Sequence, residues 1–253
     1  MTTSFIGIDL AWKVDGNHTG GAVLEGSAKG VRLTAVSTGI RSLGAVVDFV
    51  AAHARADAVV AIDGPLIVSN RTGQRPCETQ MARRFWRQGA SCHSNNLTRT
   101  PAPAGVRLVA ALGTRGFRHD FELDGAKGRR GRWVMEVYPH PALIRLFGLP
   151  RILAYKKGAV PDRRRGLGRL QAYLLSLATD GRGLLMTDAL GELCTRDLDA
   201  LAGRRLKEHE DSLDATLCAY LAFHAWRFGA ARNEMIGDLT GGYIVVPCAP
   251  GPT

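Results

Sequence analysis

The sequence predicts an α/β fold in which five strands form one sheet with a long helix packed against it. Three observations predict this. The first third holds short apolar runs of strand character, residues 41–55 place apolar side chains at helical spacing, and residues 211–229 form a longer one-faced helix closed by a glycine. With 253 residues, 45% hydrophobic, 22% charged and 7% aromatic, the chain can bury a substantial core, which excludes disorder as a description of the whole.

Residues 3–12 are apolar at Phe5, Ile6, Ile8 and Leu10, which suits a strand buried in a sheet. Residues 20–24 and 31–37 supply two more strands, and the three together suggest an antiparallel meander. In residues 41–55, Leu43, Val46, Val47 and Val50 recur at helical spacing. The segment DAVVAIDGPL that follows is a strand stopped by Gly64-Pro65. From 67 to about 130 the composition turns polar and basic, which reads as an insertion at a sheet edge. Its string RPCETQMARRFWR becomes helical after Pro76, and residues 104–116 suit another helix.

Residues 132–140 (RWVMEVYPH) read as a strand ended by Pro139, residues 141–147 as the start of a helix, and 161–179 as a long one. In 211–229, Leu213, Leu217, Tyr220, Leu221 and His224 share one face. Residues 235–246 suit a closing hairpin around Gly241-Gly242, and the tail CAPGPT is expected to fray. No repeat, low-complexity block or clean linker interrupts the chain, so residues 1–253 are expected to be a single domain with an insertion.

Lys and Arg total 33 against 23 Asp and Glu, a balance of +10. The excess gathers at Lys127, Arg129, Arg130 and Arg132, at Arg163, Arg164 and Arg165, and at Arg204, Arg205 and Lys207. Such clusters point to polyanions, although surplus Arg is also ordinary solvated surface. No apolar run approaches the roughly 18 residues of a membrane helix, and MTTSFIGIDLAW enters a strand without a basic leader, so a cytoplasmic protein with no membrane partner is expected. The five Cys are scattered without a CxxC pair and read as reduced, structural thiols.

Acids in apolar settings are few: Asp9, Asp63, Glu136, Asp211 and Asp214. A carboxylate in a strand is costly unless it is paired or holds a cation. Taken singly, each has an ordinary reading, Asp9 as a turn cap, Asp63 in an Asx turn, Asp211 as a helix N-cap. Taken together they form a set, because one sheet would place Asp9 and Asp63 on neighbouring strands. The three-residue spacing of Asp211 and Asp214 then puts both on one helix face. Clustered carboxylates repel unless a multivalent cation sits among them, and hard oxygen donors select Mg²⁺ or Mn²⁺. Two such ions about 4 Å apart can activate water for in-line attack on a phosphodiester. An acid cluster beside a basic surface is the combination a nuclease needs.

The motifs GIDLAW (7–12), AIDGPL (61–66), RPCE (75–78), EVYPHP (136–141) and DSLDA (211–215), in that order, resemble the motif series of the family called domain of unknown function 429, described as predicted nucleases of RNase H-like fold. The resemblance implies an RNase H-like mixed five-stranded sheet flanked by helices, and a divalent-metal-dependent nuclease acting on DNA or RNA. More distantly the chain is similar to RuvC-type resolvases, which carry an Asp on the first strand, an acid on the fourth and D-x-x-D-A opening the last helix. By that match Asp9, Asp63, Asp211 and Asp214 are metal ligands, with Asp63 standing where resolvases have the longer Glu. The oligomeric state is open, and because resolvases that cut two strands act as dimers the resemblance makes a homodimer worth testing. Glu136 belongs to the family pattern and is expected as a fifth catalytic acid, binding metal or orienting water.

Arg75, Arg83 and Arg84 are candidates for phosphate contacts, and Lys156 for reaching the scissile phosphate. Glu78 and His93 are weaker candidates for metal or water chemistry, and Cys77 has no positioned base. Two other readings stand beside this one. Residues 16–21 after Asp9 could cradle nucleotide phosphates as in kinases and Hsp70-type ATPases, although no second glycine-rich motif follows. Alternatively, the Arg clusters could serve a non-catalytic nucleic-acid-binding or regulatory protein.

Overall fold

Alternation along the first strand sets the architecture. In the computed structural model, which describes residues 2–249, β1 (Thr3–Asp9) turns Phe5 to one face of the sheet and Ile6 and Ile8 to the other. β2 (Thr19–Ser27) and β3 (Gly30–Ile40) complete the expected antiparallel meander. α1 (Leu43–His53) starts at Ser42, whose hydroxyl accepts the Ala45 N–H, and returns the chain to β4 (Ala58–Asp63), parallel to β1. β5 (Arg132–Val137) lies parallel to β4 on its far side.

The sheet has seven strands, in the order β3-β2-β1-β4-β5-β7-β6, where five were expected. The C-terminal hairpin, β6 (Asn233–Asp238) and β7 (Gly242–Pro247), joins the same sheet, with β7 parallel to β5 at Val137 and Val245. β5 would otherwise present an open edge of unpaired backbone groups; the hairpin meets it at Val137, and the Arg118 backbone donates to the Arg132 carbonyl and accepts the Val134 N–H. Of the tail CAPGPT (248–253), expected to fray, Cys248 donates its N–H to the Arg232 carbonyl at 2.9 Å, and residues 250–253 lie outside the described residues.

Between β4 and β5 come α2 (Pro76–Phe85), packed on β6 and β7, and α3 (Ala104–Gly113), packed on α1. α4 (Pro139–Phe147) opens at Pro139, so this proline begins a helix, with its fixed φ already helical, instead of only ending the strand. α5 (Val160–Thr179) was expected; α6 (Asp188–Thr195), capped by the Thr187 hydroxyl, was not. α7 (Gly203–Phe228) begins well before Asp211. Its first turns carry the pairs Arg204–Glu208 and Lys207–Glu210, one helical turn apart, in place of an apolar stripe, and so lacked the periodic signal.

Two cores result, one between the sheet and α7 with α4 and α5, the other between the sheet, α1 and α3. Val59, Ala61, Trp133, Met135 and Val137 face the α7 side, while Val60, Ile62 and Val134 face the α1 side. Among the described residues no helix is long and apolar enough to cross a membrane. All five cysteines are free.

Candidate active site

Asp9 and Asp63 are the last residues of β1 and β4 and are register partners. Strand alternation gives them the parity of Phe5 and Ala61, so both face α7. The helix comes close because a glycine lies beneath it at two points. A Cβ on Gly7 would sit 2.0 Å from the Ala215 carbonyl oxygen, and one on Gly20, the partner of Asp9 on β2, would sit 2.5 Å from that of Asp211. Backbone packed on backbone brings Asp211 and Asp214, 1% and 0% exposed, over the strand ends. Both lie inside α7 and not at its opening, so Asp211 is no N-cap.

Two ammonium groups enter this set. Lys156, on the segment between α4 and α5, places Nζ 2.9 Å from Asp214 Oδ2, 3.7 Å from Asp63 Oδ2 and 3.9 Å from Asp9 Oδ1. Lys207, one turn before Asp211 on α7, pairs with Asp211 Oδ1 and lies 2.9 Å from Glu210 Oε1. The buried Tyr155 hydroxyl donates to Asp214 Oδ1 at 2.8 Å. Burial pushes the Asp63 carboxyl up to about 7; Lys156 opposes this, and Asp9, Asp214 and Glu136 add to it. Asp211 rises to about 8, by burial first and then the charge of Asp9, against the pull of Lys207. Burial works against the Lys156 ammonium, but Asp214, Asp9, Tyr155 and Asp63 outweigh it and hold the group charged. His140, beside Tyr155, is lowered to about 4 by burial and by Lys156, so it is neutral at pH 7.

The donor chemistry fits a hard divalent cation: it is oxygen only, and the buried Oδ2 atoms of Asp211 and Asp214 have no directed hydrogen bond. As the side chains stand, no three His, Cys, Asp or Glu groups among the described residues are set to hold a metal ion. The space that Asp9, Asp63 and Asp214 share is taken by the Lys156 ammonium. Two surface cavities, of about 390 and 460 Å³, are lined by none of the four aspartates.

Glu136 is not brought to this group. It shares the parity of Val134, so the pleat turns it to the opposite face from Asp63. There it accepts the Leu66 N–H at 2.8 Å and two hydrogen bonds from the Arg75 guanidinium at 2.6 and 2.9 Å. Arg75, expected at phosphate, is 2% exposed, and its remaining donors go to Glu78 and to the Ile67 carbonyl. Glu78 also accepts from the Asn95 backbone and side chain, which ties the 91–96 loop to α2. The RPCE and EVYPHP motifs therefore meet in one buried ion-pair network with no face to solvent. Cys77 beside it is raised to about 12, chiefly by burial, which removes it as a nucleophile.

Arg83 and Arg84 stand on the exposed face of α2, Arg84 paired with Glu234 of β6. His93 lies edge-on to the exposed Trp12 at 6.1 Å. The glycine run after Asp9 does not form a phosphate cradle: Gly20 and Gly21 are ladder residues of β2, pressed against Asp211 and the Phe49 ring. Sequence reasoning missed Lys207, Tyr155 and the two packing glycines. Only Lys207 carried a legible signal, its four-residue spacing from Asp211.

Sheet order and site together define an α/β protein with a seven-stranded mixed sheet flanked by helices, whose adjacent parallel strands β1 and β4 end in paired aspartates beneath a buried helix. Residues 7–235 match the family model described as Protein of unknown function (DUF429), and the chain belongs to that family. The match takes in all five sequence motifs, from GIDLAW to DSLDA. Neither the curated proteins nor the solved structures contain a match.

Proposed function

We propose that the chain is a divalent-metal-dependent nuclease, hydrolysing phosphodiester bonds of DNA or RNA on an RNase H-like fold. The observation that carries this reading is the pairing of Asp9 and Asp63 at the ends of adjacent parallel strands, facing Asp214 and Asp211 on one helix. Acids gathered this closely, with the buried Asp211 Oδ2 lacking a hydrogen bond and Asp214 Oδ2 met only by the Lys156 ammonium, are an arrangement that stability alone disfavours. Asp9, Asp63, Asp214 and Asp211 would hold Mg²⁺ or Mn²⁺, which when bound supplies an activated water and stabilises the leaving oxygen.

The chain's own groups prepare this site. Tyr155 donates to Asp214 Oδ1, which fixes the carboxylate and leaves Oδ2 turned toward Lys156, Asp9 and Asp63. Gly7 and Gly20 set the distance between helix and strand ends. Arg163 and Lys207 line the same side through Glu210, and the formal +10 suits a polyanionic substrate whose phosphates need neutralising. On this reading Glu136 and Arg75 maintain the fold beneath the site and take no part in chemistry. The partner is nucleic acid, the compartment the cytoplasm, and cutting both strands of a duplex would call for a homodimer.

The test is a panel of end-labelled single-stranded, duplex and branched DNA and RNA, incubated with Mn²⁺ or Mg²⁺. Wild type should cut at least one substrate only with the ion present, and Asp9→Asn and Asp214→Asn should fall to background while still binding that nucleic acid. Cleavage that survives both substitutions, or that proceeds without a divalent ion, would overturn the reading.

A further inference from the structure

We infer that Lys156 is an exchangeable counter-cation: its ammonium occupies the position between Asp9, Asp63 and Asp214 that a divalent ion needs, and so sets the affinity of the site for that ion. The inference deepens the metal-dependent reading and rests on it. Three distances carry it, since Nζ lies within 2.9 to 3.9 Å of one oxygen from each of these aspartates. A second ammonium, that of Lys207, is held differently, by Glu210 and Asp211 one turn away on its own helix. Lys156 reaches the group from a stretch without helix or strand, residues 151–159.

The anchoring of that stretch is uneven. Tyr155 is fully buried with its hydroxyl on Asp214, and α5 presses on the backbone of Ala154 through Gly166, where a Cβ would lie 2.6 Å from the Ala154 oxygen. Lys156 itself is 29% exposed at the side chain, and Lys157 and Gly158 beyond it face solvent. The main chain is fixed while the lysine stem has a route outward. An ammonium and a divalent ion cannot share one set of oxygens, because they repel at contact distance while competing for the same charge. Entry of the ion therefore requires Lys156 to withdraw. A substrate phosphate at the mouth offers the withdrawn ammonium a new partner, so nucleic acid and metal should each favour binding of the other.

Mn²⁺ titrated calorimetrically into wild type, Lys156→Gln, Lys156→Arg and Lys157→Gln tests this without any measurement of cleavage. Lys156→Gln should bind Mn²⁺ about tenfold more tightly than wild type. Lys156→Arg should stay weak, and Lys157→Gln, which removes the same charge from the neighbouring exposed position, should stay within about twofold of wild type. Wild type alone supplies a second readout: acylation of Lys156, followed by peptide mass analysis, should rise about fivefold on adding Mn²⁺ while that of Lys157 is unchanged. Equal Mn²⁺ affinity in wild type and Lys156→Gln, or unchanged acylation at saturating Mn²⁺, overturns the inference and leaves the metal-dependent reading intact. Absence of Mn²⁺ binding in every variant, Lys156→Gln included, overturns both.

Discussion

Gly7→Ala puts the geometry that assembles the site to its most direct test. The added Cβ would lie 2.0 Å from the Ala215 oxygen, 2.2 Å from the Ala219 nitrogen and 2.9 Å from the Cys218 carbonyl carbon. Real Cβ contacts essentially never fall below 3.0 Å, so α7 must retreat from β1 by about 1 Å or more. Overpacking usually costs about 1–3 kcal/mol where side chains can adjust. Here the opposing atoms belong to the backbone of a buried helix and have no rotamer to change, so the loss should reach about 3 kcal/mol or more. With a urea m-value of about 2–3 kcal/mol per molar, the midpoint should fall by about 1 M or more, read by circular dichroism. Any folded fraction should also bind Mn²⁺ more weakly, because Asp211 and Asp214 move with the helix.

The control is Gly168→Ala in α5, where the nearest atom to the new Cβ is Leu198 Cδ1 at an ordinary 3.7 Å. Removing an interior helix glycine there should stabilise the protein by about 0.5–1 kcal/mol. A Gly7→Ala protein within about 0.5 kcal/mol of wild type would refute the claim that backbone contact between α7 and β1 positions the aspartates.

Glu136→Gln leaves the buried Arg75 guanidinium short of a countercharge and should cost about 3–5 kcal/mol in urea unfolding, with Mn²⁺ affinity of the folded protein unchanged. A variant of full stability that lost Mn²⁺ binding would return Glu136 to the site. Asp63 holds its proton to about pH 7 in the folded chain against 3.8 when unfolded, so the folded state binds more protons in that interval and stability falls as pH rises through it. The whole interval is worth at most about 4 kcal/mol. Asp63→Asn should accordingly match wild type at pH 4 and exceed it by pH 8; an offset equal at both pH values would count against a strained carboxylate. Asn95→Ala removes the side-chain donor from the buried Glu78 and should cost about 1–3 kcal/mol, an expectation that an unchanged thermal midpoint would contradict.

Much of this protein is legible in its sequence because the signals are local. Short apolar runs of strand character located β1 to β5, helical spacing located α1 and the buried length of α7, and the motif order identified the family. The apolar settings of Asp9, Asp63, Asp211 and Asp214 singled out the four acids that the fold does bring together, since an unsupported charge in a strand or buried helix is conspicuous. Glu136 looked the same in sequence, in a strand and amid apolar neighbours. Only the tertiary structure decided otherwise, because which face of β5 meets α7 depends on pairing with strands far along the chain, and one step of parity moves a side chain to the other side of the sheet. Arg75 reads as a surface base until Glu78 and Glu136 enclose it. Lys156 reads as a lysine reaching for the scissile phosphate until Gly166, Gly7 and Gly20 let three backbones close around its ammonium, which pairs with the aspartates. Spacing along a chain records which residues share a face of one element; which faces meet, and at what distance, is set by packing between elements.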